Sequence, residues 1–182
     1  MRFKPIPPGE MNAAQRAVHD EAVAGKRGSA PAPLLAWLHS PDMARHAGRL
    51  GAFLRFDTSL GAQLSELAIL VTARHWSAAY EWYAHKKLAL QAGLAPDIIE
   101  AINRRHVPDL DDPKAQIVYE VSEALHESRV LPEALYARAR ALLGERGLVE
   151  LIGLLGYYTL VSMTLNAYEV GLPEGEVSDL AP

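Results

Sequence analysis

Helix signals dominate this chain, and signals for β-strands are almost absent. No stretch alternates cleanly between polar and apolar residues, and alanine and leucine dominate the segments between breaks. Asparagine, serine or proline begins these segments and glycine or proline ends them, as at helix termini. The sequence therefore predicts an all-α protein, a bundle of about eight helices with short loops. At 182 residues the chain is most simply one domain, residues 1–182.

The breaks place the individual helices. Asn12 and Ser40 are cap residues, the segment 25–33 is a break, and the acidic tail 174–182 is expected to be loose. The stretch 148–165 is the most apolar, and we interpret it as a buried core helix rather than a membrane span. The predicted helices cover 13–24, 41–58, 65 to about 75, 78–92, 96–105, 113–127, 132–143 and 148–170.

Charge and cysteine content exclude several classes of function. The formal charge is −4 and no long basic run is present, so we expect no nucleic-acid partner. The first residues contain no apolar leader segment, and we expect a cytoplasmic protein with no membrane association. The chain has no cysteine, which removes disulfides, thiolate metal sites and cysteine nucleophiles.

Glu66, Glu81 and His85 are the candidate catalytic residues. Glu81 and His85 are four residues apart, so on a helix they lie on one face and can meet. A carboxylate beside an imidazole can move protons near neutral pH. Glu66 lies upstream in an apolar helical run, where burial would perturb its ionisation. Each of the three could instead be an ordinary structural or solvated helix residue.

The segment from Leu64 to Leu94, LSELAILVTARHWSAAYEWYAHKKLALQAGL, resembles the core of the carboxymuconolactone decarboxylase family, which includes the alkylhydroperoxidase D-like proteins. The resemblance is clear over residues 64–102. The peroxidase branch of that family has two cysteines, at the positions of Ala78 and Glu81 here, and its histidine matches His85. The resemblance implies an alkylhydroperoxidase D-like helical fold, a homo-oligomer, and a site at Glu66, Glu81 and His85 without dithiol chemistry.

Four other residues are candidates for substrate binding. Arg74 can hold a carboxylate by a two-pronged hydrogen bond, although its place near a helix C-terminus also suits the helix dipole. Tyr80 and Trp82 belong to an aromatic cluster that is either core or pocket wall. Asn166 is polar within an apolar helix, and it resembles an asparagine that this branch of the family carries.

These residues favour a cofactor-independent acid–base lyase, a decarboxylase, or an isomerase. The expected substrate is a small carboxylated lactone or aromatic ring-cleavage product, with no cofactor. We expect no metal, because the HExxH signature is absent around His85. The alternative is a non-catalytic helical oligomer that binds a small molecule. A purely structural oligomer and a peroxide-handling enzyme are weaker alternatives, the latter because the chain lacks a thiol.

Overall fold

The computed structural model describes residues 2–182 and confirms an all-α chain of eight α-helices, with no strand among those residues. A short 3-10 helix, Pro8–Glu10, precedes them. The helices are α1 (Ala13–Ala24), α2 (Ala32–Trp37), α3 (Pro41–Phe56), α4 (Ala62–His75), α5 (Ala79–Gln91), α6 (Pro96–Asn103), α7 (Pro113–Glu127) and α8 (Glu133–Ala167).

Cap residues explain several of the boundaries. The Asn12 side chain accepts from the backbone N–H of Gln15 at 2.9 Å, and the Gln15 side chain accepts from the backbone N–H of Asn12 at 3.0 Å. This reciprocal pair is the capping box that begins α1. Asp112 caps α7 by accepting from the backbone N–H of Lys114 at 2.9 Å.

Two helices differ from the sequence prediction. The segment 25–33 was predicted as a break, yet α2 begins at Ala32, with Pro33 in its first turn. The helices predicted at 132–143 and 148–170 are continuous as α8, which is broken only at Gly144. Gly144 has φ 72°, a backbone conformation that favours glycine, so the predicted break is present without a separating loop.

Helix α4 lies at the centre of the bundle. Every residue from Leu64 to Arg74 is buried, and α4 packs against α5, α7 and α8. A helix that is apolar around most of its circumference is stable only when other helices cover it. Burial of α4 therefore removes Glu66 from solvent and brings α5, with Glu81 and His85, against it.

Helix α8 is also apolar. By length and composition it could cross a membrane, with a mean hydropathy of 1.6 over its most apolar window. In the folded chain 61% of that window is buried inside the protein. This burial is what we expect of a core helix, the interpretation that the sequence favoured.

The tail after α8 is held against the bundle, contrary to the expectation that it would be loose. Asp179 accepts from the indole N–H of Trp82 at 3.0 Å and also pairs with Lys86. The Asn103 side chain accepts from the backbone N–H of Ala181 at 2.8 Å. Hydrogen bonds and an ion pair therefore hold the tail against α5 and α6, although the tail has no regular secondary structure.

Gly51 of α3 provides a stability test. A Cβ at Gly51 would come within 2.1 Å of the Tyr157 hydroxyl oxygen, whereas a Cβ at Gly48 would meet only Leu34, at 3.6 Å. We expect Gly51→Ala to lower the free energy of unfolding by about 1–3 kcal/mol, because Tyr157 must move. Gly48→Ala is the matched control and should raise it by about 0.5–1 kcal/mol, the usual gain in a helix. Urea denaturation measures both values, and equal stabilisation by the two changes would contradict the packing of Tyr157 on Gly51.

Candidate active site

The three predicted catalytic residues meet in the interior. His85 Nδ1 lies 2.6 Å from Glu66 Oε2, and His85 Nε2 lies 2.9 Å from Glu81 Oε1. Glu66 is 6% exposed, Glu81 4% and His85 5%. One imidazole is thus held between two buried carboxylates, one from α4 and one from α5.

The position of each residue follows from local structure. His85 and Glu81 are one turn apart on α5, which places them on the same face toward α4. Glu81 is in the first turn of α5, where the helix dipole favours a negative charge. Glu66 reaches His85 from α4 because α4 and α5 pack side by side.

The two carboxylates set the ionisation of His85. Burial alone would lower the pKa of His85, because it disfavours the charged ring, but Glu81 and Glu66 together outweigh burial and raise that pKa to about 9. His85 is therefore an imidazolium at neutral pH, with an N–H directed at each carboxylate. The ring of Tyr158 packs edge-on against it, with ring centroids 5.0 Å apart.

A cavity of about 540 Å³ opens beside this group. This volume lies in the range of small-molecule sites. Glu81, His85 and Tyr80 line it, but Glu66 does not. His85 is the only ionic partner of Glu81 among the described residues. Glu81 is therefore the carboxylate that a molecule in the cavity can touch, and Glu66 lies behind the histidine.

Cations line the same cavity. Arg27, Arg55 and Lys87 contribute to its wall, so an anion entering it meets positive charge. The Nε of Arg27 is buried and has no hydrogen-bond partner within the described part of the chain. Tyr158, which is 2% exposed, also contributes to the lining, and its buried hydroxyl lacks a partner among the same residues. Both atoms are buried hydrogen-bond donors next to the cavity, and such donors need an acceptor.

Three of the residues predicted to bind substrate lie elsewhere. Arg74 donates from Nε to the carbonyl oxygen of Asn103 at 2.6 Å and from Nη2 to that of Pro182 at 3.1 Å. Trp82 is buried against the tail, and Asn166 donates to the carbonyl oxygen of Trp76 at 2.8 Å. All three lie outside the lining of the cavity, and only Tyr80 of this group contributes to it.

Other lining residues were not singled out in the sequence. Arg27 lies in the segment that was interpreted as a break, and nothing in its local sequence marks it. Tyr157 and Tyr158 left a weak signal, since they place two hydroxyl groups inside the most apolar stretch of the chain. Such hydroxyls need partners when buried, which is a reason to examine them.

Comparison with models of known protein families gives no match to this chain, and comparison with characterised proteins gives no significant match. A functional proposal for this protein therefore depends on the geometry of the cavity and on the chemistry of its walls.

The pKa of His85 makes stability depend on pH. The raised pKa means that the folded state binds the His85 proton more tightly than the unfolded chain does. The stabilisation is complete below pH about 6.5, the ordinary histidine value, and is lost as pH rises through about 9. We expect the wild type to lose on the order of 3 kcal/mol of unfolding free energy across this range.

Urea denaturation between pH 6 and 9.5 measures this loss. His85→Gln should lack the histidine-linked part of it, and His46→Gln, at an exposed position, should keep it. A pH dependence shared by wild type and His85→Gln would show that the raised pKa is absent.

Proposed function

We propose that this protein is a cofactor-independent acid–base enzyme, a lyase (decarboxylase) or an isomerase. The proposed substrate is a small carboxylated lactone or aromatic ring-cleavage product. The observation that carries the proposal is the Glu66–His85–Glu81 group, with Glu81 facing a cavity lined by cations. Proton transfer at a carbon atom needs a positioned acid or base, and an anionic substrate needs positive charge nearby.

Glu81 is the group that exchanges the proton with substrate. His85, the other candidate for this role, has a carboxylate at each nitrogen of its ring. Glu81 takes a proton from a substrate carbon and returns it to another carbon in an isomerisation. In a decarboxylation, the carbon that loses CO₂ receives a proton, which Glu81 passes on from the His85 imidazolium. Glu66 holds His85 in place and stabilises its charge.

The cavity walls supply the remaining requirements. Proton abstraction next to a carbonyl places negative charge on the carbonyl oxygen, and donors directed at that oxygen lower the barrier. We assign this role to the buried Tyr158 hydroxyl, for which the described residues offer no hydrogen-bond partner. Arg27 and Arg55 of the lining provide positive charge for the carboxylate of the substrate, whereas Lys87 already contacts the Tyr83 hydroxyl and Glu176. Arg74, whose guanidinium is occupied by backbone oxygens, is not needed for that role.

The proposed fold and assembly follow the resemblance of residues 64–102 to the carboxymuconolactone decarboxylase family. Two features support an alkylhydroperoxidase D-like fold: the all-helical bundle, and the glutamate of α4 that contacts the histidine of α5. The exposed apolar side chains of α8, Val149, Ile152 and Met163, support a homo-oligomer, because a soluble chain rarely leaves such a row uncovered.

The non-catalytic alternative retains one supporting observation. His85 is satisfied on both nitrogens, as in a purely structural ion cluster. A binding protein of this kind would hold the same ligands in the same cavity without turning them over. Proton exchange with solvent therefore separates the two functions.

The activity test uses 4-carboxymuconolactone, muconolactone and related γ-lactone carboxylates in D₂O. We expect CO₂ release or deuterium incorporation at carbon, followed by NMR, with at least one of them. Glu81→Gln should lower the rate by about 10²–10⁴, the usual contribution of a general acid or base. Glu100→Gln changes an exposed glutamate and serves as the control. Ligand binding without exchange in the wild type, or full activity in Glu81→Gln, would contradict the proposal.

The oligomer has its own test. Sedimentation-velocity ultracentrifugation of the wild type should show a multimer, and Ile152→Glu should shift it to monomer by placing a charge in the apolar row. Glu145→Gln, at an exposed position on the same helix, should leave the multimer unchanged. A monomeric wild type at micromolar concentration would be inconsistent with the proposed assembly.

A further inference from the structure

A second cavity, of about 220 Å³, lies next to the one that holds Glu81. Arg27, Pro31 and Tyr157 line both cavities, so the two cavities adjoin at these three residues. We call the second cavity the apolar chamber, because most of its lining surface is apolar: its walls include Val18 and Ala22 of α1, and Leu34 and Trp37 of α2. Four further charged residues contribute to its lining, namely Glu21, Lys26, Arg45 and Arg49.

Small residues on α3 create the space. Ala44, Gly48 and Ala52 recur at every fourth position of α3 and line the apolar chamber with little side-chain volume, and Arg45 and Arg49 of the same helix also line it. Gly51 allows Tyr157 to lie close against the α3 backbone at the edge of the same space. Larger side chains on this face would fill the chamber and give a continuous core, which is the usual state of a protein interior.

Arg27 places a charged, polar side chain where the two cavities adjoin. One guanidinium nitrogen of Arg27 donates to the carbonyl oxygen of Gly51 at 3.2 Å, while its Nε is buried and has no partner among residues 2–182. A buried donor of a charged group that lacks an acceptor costs free energy, and a bound carboxylate oxygen would remove that cost. A ligand that satisfies Arg27 therefore has an anionic group at the boundary between the two spaces.

We propose that the apolar chamber is a specificity pocket for a hydrocarbon substituent of an anionic substrate. The carboxylate binds Arg27, the substituent lies among Val18, Ala22, Leu34 and Trp37, and the reacting carbon lies in the larger cavity near Glu81. This inference rests on the proposed function, since it takes the Glu81 cavity as the place of reaction. It extends the substrate class to carboxylates that carry an apolar chain or ring.

The test uses straight-chain saturated carboxylates from propanoate to decanoate, with binding measured by isothermal titration calorimetry on the full chain. We expect the affinity of the wild type to rise about fourfold per added methylene until the chamber is full, and then to level off. Octan-1-ol, which lacks the carboxylate, should bind at least about tenfold more weakly than octanoate.

Substitutions in the lining of the apolar chamber test whether the hydrocarbon chain binds there. Ala52→Leu and Ala22→Leu fill the chamber from opposite walls, and each should abolish the dependence on chain length while leaving propanoate binding within about twofold of wild type. Ala17→Leu, the same substitution at an exposed position of α1, should retain the full dependence. Arg27→Gln should lower the affinity for every carboxylate in the series by about tenfold or more, without changing the gain in affinity per added methylene. Circular dichroism establishes that each variant is folded.

Two results would overturn the inference. One is an affinity that does not change with chain length in the wild type, and the other is a chain-length dependence that survives in both folded filling variants. If the wild type turns over a lactone but its affinity for the carboxylates does not change with chain length, only the role proposed for the apolar chamber is contradicted. If affinity rises with chain length as expected but no lactone is turned over, the proposed enzymatic activity is contradicted and the apolar chamber remains a binding site.

Discussion

One imidazolium held between two buried carboxylates is the interaction on which the rest of this structure depends. The buried carboxyl groups of Glu66 and Glu81 each contact one nitrogen of the His85 ring, and an unpaired charge at either buried position would be very costly. His85 could not remain protonated there without the carboxylates. Each member thus makes the burial of the other two tolerable, and together they fix how α4 and α5 pack.

This arrangement has a chemical consequence. Glu66 is enclosed by protein, and Glu81 is at the wall of a cavity with Arg27, Arg55 and Lys87 around it. Of the two carboxylates in the Glu66–His85–Glu81 group, only Glu81 therefore contributes negative charge at the cavity wall. An acid–base pair with one closed end and one accessible end is suited to exchanging a proton with a bound molecule, and a symmetric structural ion cluster would not need the cavity.

The N-terminal part of the chain adds a second space, the apolar chamber, next to the cavity that Glu81 lines. Helices α1 to α3 provide most of the lining of the apolar chamber, and the loop between α1 and α2 provides Arg27. The proposed catalytic group and the residues proposed to contact a substituent of the substrate therefore come from different parts of the sequence, the first from α4 and α5 and the second mainly from α1 to α3.

The sequence by itself determined the helical class, most helix boundaries and the pairing of Glu81 with His85, since periodicity, caps and the one-turn spacing are local properties. Only the tertiary structure decided that Glu66 reaches His85, because that contact depends on how two helices pack. It also decided that Arg74 binds the tail and that Arg27 lines the cavity. The direction of an arginine side chain follows from which oxygen atoms the fold brings within its reach, and local sequence does not contain that information.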